Sequence, residues 1–289
     1  MIYVSSACIK SSNLERVVKT LCDEGFSNIE LSGGTIYNEK GLEQLRRLKE
    51  EYSINFLLHN YFPTPKNPFV LNLASSRNST IKQSLNLIKK AIDWSEVLEA
   101  DKYAFHAGFL FEIPINELGK KITKSDLYSE EKAIAMFEKN LIEITEYNKN
   151  RVKLHVENNV LSKMNFTSFE QTNPFLFTDL HSLSKIEFAN NYKILLDAAH
   201  LKVSCNSLSL NFEREWKILY DKTDYIHISD NDGTKDSNQV FKTDSNLFSI
   251  LKKNWTNGKT ITIEVYSGIE TIKETYNAIE QLNKANEGV

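Results

Sequence analysis

Glycine and proline are scarce, 10 and 5 residues in a chain of 289. So few exclude collagen-like and low-complexity architectures, and no Pro-, Gly- or Ser-rich linker divides the chain. Length alone suggests about two domains, but α/β barrels use this length as one unit, and a single domain over 1–289 is expected. Cysteine is scarcer still: Cys8, Cys22 and Cys205 are three, odd in number and far apart. They supply no disulfide framework and point to a reducing compartment. An excess of positive charge is also missing, with 35 Lys+Arg against 38 Asp+Glu and a net charge of -3. That removes the global cationic field on which tight non-specific duplex binding relies. No apolar run approaches the roughly 18 residues of a membrane span, and the start MIYVSSACIK has no secretory-signal pattern. A cytoplasmic protein without a membrane partner is the expectation.

What is present is a globular composition, 41% hydrophobic and 25% charged, arranged periodically. Short apolar segments at 2–6, 28–32, 55–60, 102–107, 152–158, 193–198, 225–230 and 260–266 read as strands. Between them, 13–24, 39–52, 79–99 and 129–149 repeat apolar residues at three and four, and later helices are expected at 210–220, 247–254 and 269–284. Eight strands alternating with helices are the pattern of an α/β protein of the (β/α)8, or TIM barrel, class. An open doubly wound sheet would carry a glycine-rich loop after its first strand, and Val4-Ser5-Ser6-Ala7-Cys8 has no glycine. The exception to the regular spacing is 159–191, where an insertion is expected.

Polar, metal-competent side chains recur at the C-terminal ends of these strands, where a barrel builds its active site. They are His59, His106, Glu157, Asp197, His227 and Glu264. Strand alternation fixes their facing. Ile261 and Ile263 suit the helix layer and leave Thr262 and Glu264 inward; Ile226 and Ile228 leave His227 inward; Ile194 and Leu196 leave Asp197 inward. Glu157, Asp197, His227 and Glu264 therefore converge on one mouth. Three carboxylates at low dielectric need a cation, and this oxygen-plus-imidazole set suits one divalent ion: Mn, Co, Zn or Fe. Taken singly, a strand-end histidine is more often a satisfied structural residue and a strand-end acid a helix cap; the joint placement carries the argument. His155 lies one layer deeper, where packing or support is expected, and Lys153 deeper again, as a structural residue.

This ordered set resembles the xylose-isomerase-like barrel superfamily, which includes sugar and sugar-phosphate isomerases and epimerases, inosose dehydratases and the endonuclease IV class of abasic-site nucleases. The resemblance runs from the third strand to the eighth. It implies one divalent metal on Glu157, Asp197, His227 and Glu264. Asp197-Ala198-Ala199-His200 matches the family's D-x-x-H, and His106 in FHAG and His59 in FLLHN match its strand-four and strand-three histidines. For the epimerases the resemblance implies proton transfer by Glu157 and Glu264, oxyanion contact by His200, and substrate hydroxyls held by His59 and His106. The arginine usual beyond the strand-seven histidine is absent, and Lys235 is the candidate in its place. Tyr61-Phe62 and Phe109/Phe111 are candidates for an apolar wall.

Two alternatives stand beside a sugar or sugar-phosphate isomerase or epimerase acting through an enediolate. An endonuclease IV-like abasic-site phosphodiesterase would add a metal at His59/His106 and another near His200 and Asp236. Asn238, however, occupies the place of a zinc-binding histidine, and asparagine is a poor zinc ligand. Its nucleic-acid surface would draw on Lys66, Arg77, Lys120, Lys121 and Lys124. A barrel that binds a carbohydrate or a partner protein without turnover is the third reading. Loops 63–77 and 109–128 are where substrate choice is expected to lie, and where a homodimer would pack.

Overall fold

A computed structural model describes residues 1–187 and 192–285 of the chain. Eight parallel strands close into a barrel in sequential order: β1 Ile2–Ser5, β2 Asn28–Leu31, β3 Asn55–His59, β4 Lys102–His106, β5 Lys153–Glu157, β6 Tyr192–Asp197, β7 Thr223–Ile228 and β8 Thr260–Ile263. Closure is made by β1 on β8, with Ile2 opposite Ile261 and Val4 opposite Ile263. Helices α1 Leu14–Asp23, α2 Gly41–Tyr52, α3 Asn78–Val97 and α4 Glu130–Asn148 follow the first four strands. Asn13 caps α1, its side chain accepting from the Arg16 backbone N–H at 2.9 Å. The (β/α)8 expectation is met, with strand ends one to three residues shorter at the mouth; β8 stops at Ile263, leaving Glu264 at the first loop position.

The strand alternation holds. Ile194, Leu196, Ile226, Ile228, Ile261 and Ile263 are buried in the main core between sheet and helices, each worth roughly 1.5–3 kcal/mol on removal from water. The inward residues Tyr3, Leu57, Ala104, Leu195 and Tyr225 form a separate apolar plug inside the barrel. The side chains of the mouth therefore stand on a packed floor.

Three elements depart from expectation. The segment after β6, where no helix is expected before 210, is helix α7 Ala198–Leu208, ahead of α8 Phe212–Tyr220. The insertion carries α5 Lys163–Ser168 and α6 Leu180–Leu183, while its residues 188–191 lie outside the described residues. The last two helices, α9 Asn246–Lys252 and α10 Ile269–Lys284, fall where periodicity puts them. Loop 109–128 folds over the insertion, pairing Phe109 with Phe175 and burying Phe111, Ile113 and Ile122 against Leu161 and Phe169. This second apolar cluster walls one side of the mouth. Among the described residues no helix is long and apolar enough to cross a membrane.

Candidate metal centre and cleft

The site is assembled from strand ends whose hydrogen bonds leave particular atoms free. Asp197 ends β6 and caps α7: its Oδ1 accepts from the His200 backbone N–H at 2.7 Å. Asn158 straps the residue on both sides, accepting from Asp197 N–H at 2.7 Å and donating to Asp197 C=O at 3.1 Å. The capping role and the inward role thus fall on different oxygens, and Oδ2 remains. Glu157 Oε2 lies 2.7 Å from His59 Nε2 and 3.2 Å from His106 Nδ1, and Oε1 remains. His227 Nε2 lies 3.0 Å from Glu30 Oε2, and Nδ1 remains.

Among the described residues, Glu157 Oε1, Asp197 Oδ2 and His227 Nδ1 are buried and make no hydrogen bond. These three residues bring one ligand atom each to within 4.8 Å of one another. His227 Nδ1 stands 3.5 Å from Glu157 Oε1 and 3.5 Å from Glu264 Oε2, close to the ~3.4 Å that separates two ligands of one tetrahedral zinc. A buried atom without a partner costs free energy, so three that converge mark a place for a cation. Glu264 belongs to a second cluster with Glu30, His59 and His227, and reaches the first through His227. A third cluster joins His59, His106 and Glu157.

The buried acids and histidines of the centre shift one another's pKa values. Burial opposes charge on His227, but Glu30 and Glu264 outweigh it and hold its pKa well above the ordinary histidine value. Burial likewise opposes ionisation of Glu157, yet His106 and His59 hold its carboxyl well below the usual range. Burial pushes Asp197 up to about 7 and His106 down to about 4. Burial opposes charge on His200 too, but Asp197 and Asp236 raise its pKa well above the ordinary value.

A cleft of about 530 Å³ meets this group through His106 and His200; Glu157, Asp197, His227 and Glu264 do not line it. His106, His200, Lys235, Asp236 and Asn238 form its polar side; Tyr61, Phe109, Ile113 and Phe175 form its apolar side. His200 Nδ1 is 3.0 Å from the Asn158 carbonyl, and Nε2 is 3.4 Å from Asp236 Oδ2. His59 does not line the cleft; it is 5% exposed and lies under Glu157. Phe62 and Phe111, each 1% exposed, do not line the cleft; Phe111 backs its apolar side from within the second cluster. Lys124, a candidate nucleic-acid contact by sequence, pairs with Glu170 at 2.6 Å. His155 Nε2 lies 2.9 Å from Asp224 Oδ1, and its ring packs against Tyr225.

Two residues escaped the sequence reading. Glu30, in the middle of β2, is fully buried beside His227 and His59. Its signal was present, because Ile29 and Leu31 face outward and leave Glu30 inward. Asn72 is 1% exposed and ties loop to loop, donating to the Phe109 and Phe111 carbonyls at 3.0 and 3.2 Å. It also accepts from Phe109 N–H at 3.0 Å. Gly108 is required there, since a Cβ would stand 2.6 Å from Ala74 Cβ and 2.8 Å from Asn72 Oδ1. No sequence pattern marks Asn72.

A closed (β/α)8 barrel with metal-competent clusters at the C-terminal ends of its strands defines a class. Residues 19–285 match the xylose isomerase-like TIM barrel family, and the chain belongs to it. No curated protein matches the sequence. Among solved structures, a D-tagatose 3-epimerase-like protein superposes with a TM-score of 0.72 at 20% identity, over 97% of this chain and 96% of its own. The TTHB071 protein of Thermus thermophilus, soaked with zinc chloride, gives 0.64 at 18% identity, over 99% of both chains. Endonuclease IV from the same organism gives 0.60 at 11%, over 97% of this chain and 99% of its own. At these identities the likeness shows the fold alone.

Proposed function

We propose that the chain is a divalent-metal-dependent isomerase or epimerase of a sugar, sugar phosphate or related polyol-ketone, acting through an enediolate. The observation that supports this reading is the convergence of Glu157, Asp197 and His227, each with a buried atom that makes no hydrogen bond, beside a cleft of small-molecule size that reaches them through His106 and His200. With Glu264 they would hold one Mn, Co, Zn or Fe ion, whose chemistry when bound is to polarise a carbonyl and acidify the neighbouring C–H. The chain's own residues do the rest. Glu264, 6% exposed and 3.5 Å from His227 Nδ1, is the group that takes the proton. Glu157 returns it from the other side, with His59 and His106 at its outer oxygen as the proton reserve. His200, charged between Asp197 and Asp236 in spite of its burial, faces the oxyanion that develops. Lys235 anchors the distal hydroxyl or phosphate in place of arginine.

One observation favours a second reading. The His59–His106–Glu157 cluster could take a further metal, as an abasic-site phosphodiesterase would need. Metal analysis of protein purified without chelator, run beside solvent deuterium exchange on a panel of ketoses and their phosphates, separates the two. One ion per chain and label at the carbon beside the carbonyl are expected. Two or three zincs per chain with nicking of abasic duplex DNA would overturn the first reading.

A further inference from the structure

Glu30 is a fully buried carboxylate at the centre of the barrel for which the mechanism above has no use. It is grouped with His59, His227 and Glu264 as a set that could hold a metal, but its lone pairs are already engaged. Oε2 accepts from the Tyr225 hydroxyl and from Thr262 Oγ1 at 3.1 Å, and it faces His227 Nε2 at 3.0 Å. Oε1 accepts from Ser32 Oγ at 3.3 Å, and Ser32 in turn touches His59 Nδ1 at 3.4 Å. A carboxylate so surrounded by donors is an orienting group rather than a ligand.

We propose that Glu30 is a positioning residue that fixes the His227 ring, holding the proton on Nε2 so that the Nδ1 lone pair is presented to the metal centre. The argument is one of hydrogen-bond chemistry and rests on the metal-dependent reading. An ionised carboxylate only accepts, so the ring nitrogen facing it must carry hydrogen; a neutral imidazole then has its lone pair on the other nitrogen. That other nitrogen is the unpartnered Nδ1, 3.5 Å from both Glu157 and Glu264 oxygens. The negative charge behind the ring also makes Nδ1 a stronger donor to a cation. Tyr225 and Thr262, reaching across the barrel interior from β7 and β8, brace Glu30.

The test compares wild type, Glu30→Gln and Glu30→Leu for zinc affinity by chelator competition, and for the His227 ring signals by nitrogen-15 NMR of the zinc-loaded protein. Wild type should bind zinc through Nδ1 and show a slowly exchanging, downfield Nε2–H. Glu30→Leu should weaken zinc about 10- to 100-fold, the usual cost of losing such a partner, and lose that N–H signal. Glu30→Gln keeps the shape and an acceptor oxygen, so it should fold as wild type, keep the N–H signal shifted upfield, and lose only about 3- to 10-fold. Zinc affinity unchanged in Glu30→Gln, with an unshifted N–H signal, would overturn the role of Glu30 even if Glu30→Leu does not fold. A wild type that binds no zinc would overturn it together with the metal-dependent reading.

Discussion

The two ends of the barrel use the same residue types to opposite effect. At the N-terminal end, His155 meets Asp224 at 2.9 Å, Lys193 meets the same carboxylate at 2.5 Å, and Lys102 and Lys153 share Asp101 at 2.9 and 3.1 Å. The second ring nitrogen of His155 lies 3.3 Å from the Lys153 carbonyl. At the C-terminal end, Glu30, Glu157, Asp197 and Glu264 crowd around His59, His227 and His200 with no lysine or arginine paired among them, and three ligand atoms stand free. The lower end is satisfied and partly wet; the upper end is buried and incomplete. Completeness is what stability selects, and a cluster that needs something else to complete it is what binding and catalysis require.

The sharpest way to break that contrast is Asp197→Ala. It removes a ligand atom and the cap of α7 together, so bound metal should fall from one ion per chain to near zero and turnover by about 10³-fold or more. Elemental analysis and the deuterium assay read both. Loss of the cap costs about 1 kcal/mol, partly offset by relief of repulsion among the remaining acids, so the metal-free melting temperature should move little. Metal retained at full stoichiometry would mean that Asp197 serves α7 alone.

The matching change below the plug is Asp224→Ala. It strands the buried His155 N–H and should cost about 1–3 kcal/mol by denaturant melts, with metal content unchanged. The pH dependence has a definite sign. Burial depresses the His155 pKa, so the stability this neutral ring contributes is full above its ordinary value near 6.5 and is lost as pH falls. Asp224, whose own burial is outweighed by His155 and Lys193, is also depressed, and its contribution is lost as pH falls from about 4. Below about pH 4 wild type should therefore destabilise more steeply than Asp224→Ala, which lacks the second contribution; between about 6.5 and 4 the variant should be the steeper, because its His155 has lost the carboxylate that raised its pKa.

Much of the upper end was legible in sequence because alternation in strands is a two-state code. In ITIE and YIHI, two outward isoleucines dictate that Glu264 and His227 face the axis, and the barrel places them so. The same rule applied to NIEL yields Glu30, but a single acid in mid-strand lacks the company that made the strand ends conspicuous. Helix α7 escaped because Ala198, Ala199, Leu201, Val203 and Cys205 are all buried; a helix enclosed on nearly every side shows no amphipathic period. Helices α5 and α6, of six and four residues, are too short to display one. The wall formed by Phe109 against Phe175, and Asn72 beneath it, depends on residues that meet only after three loops fold together.

The smallest expected effect tests the same strand against itself. Lys153 and Glu157 lie on one face of β5, four residues apart, so a strand-wide disturbance would touch both. Lys153 is 58% exposed and its partner Asp101 keeps Lys102 at 2.9 Å when Lys153 is removed. An exposed pair with a substitute cation contributes little, so Lys153→Ala should shift stability by no more than about 0.5 kcal/mol and leave metal stoichiometry and turnover at wild-type values. Glu157→Ala, by contrast, takes away a ligand atom and the partner of two histidines, and should empty the centre. Urea melts and elemental analysis on the two variants decide the matter. If Lys153→Ala lowers metal content as well, the apolar plug does not insulate the two ends, and the division between a lower end built for stability and an upper end built for chemistry fails.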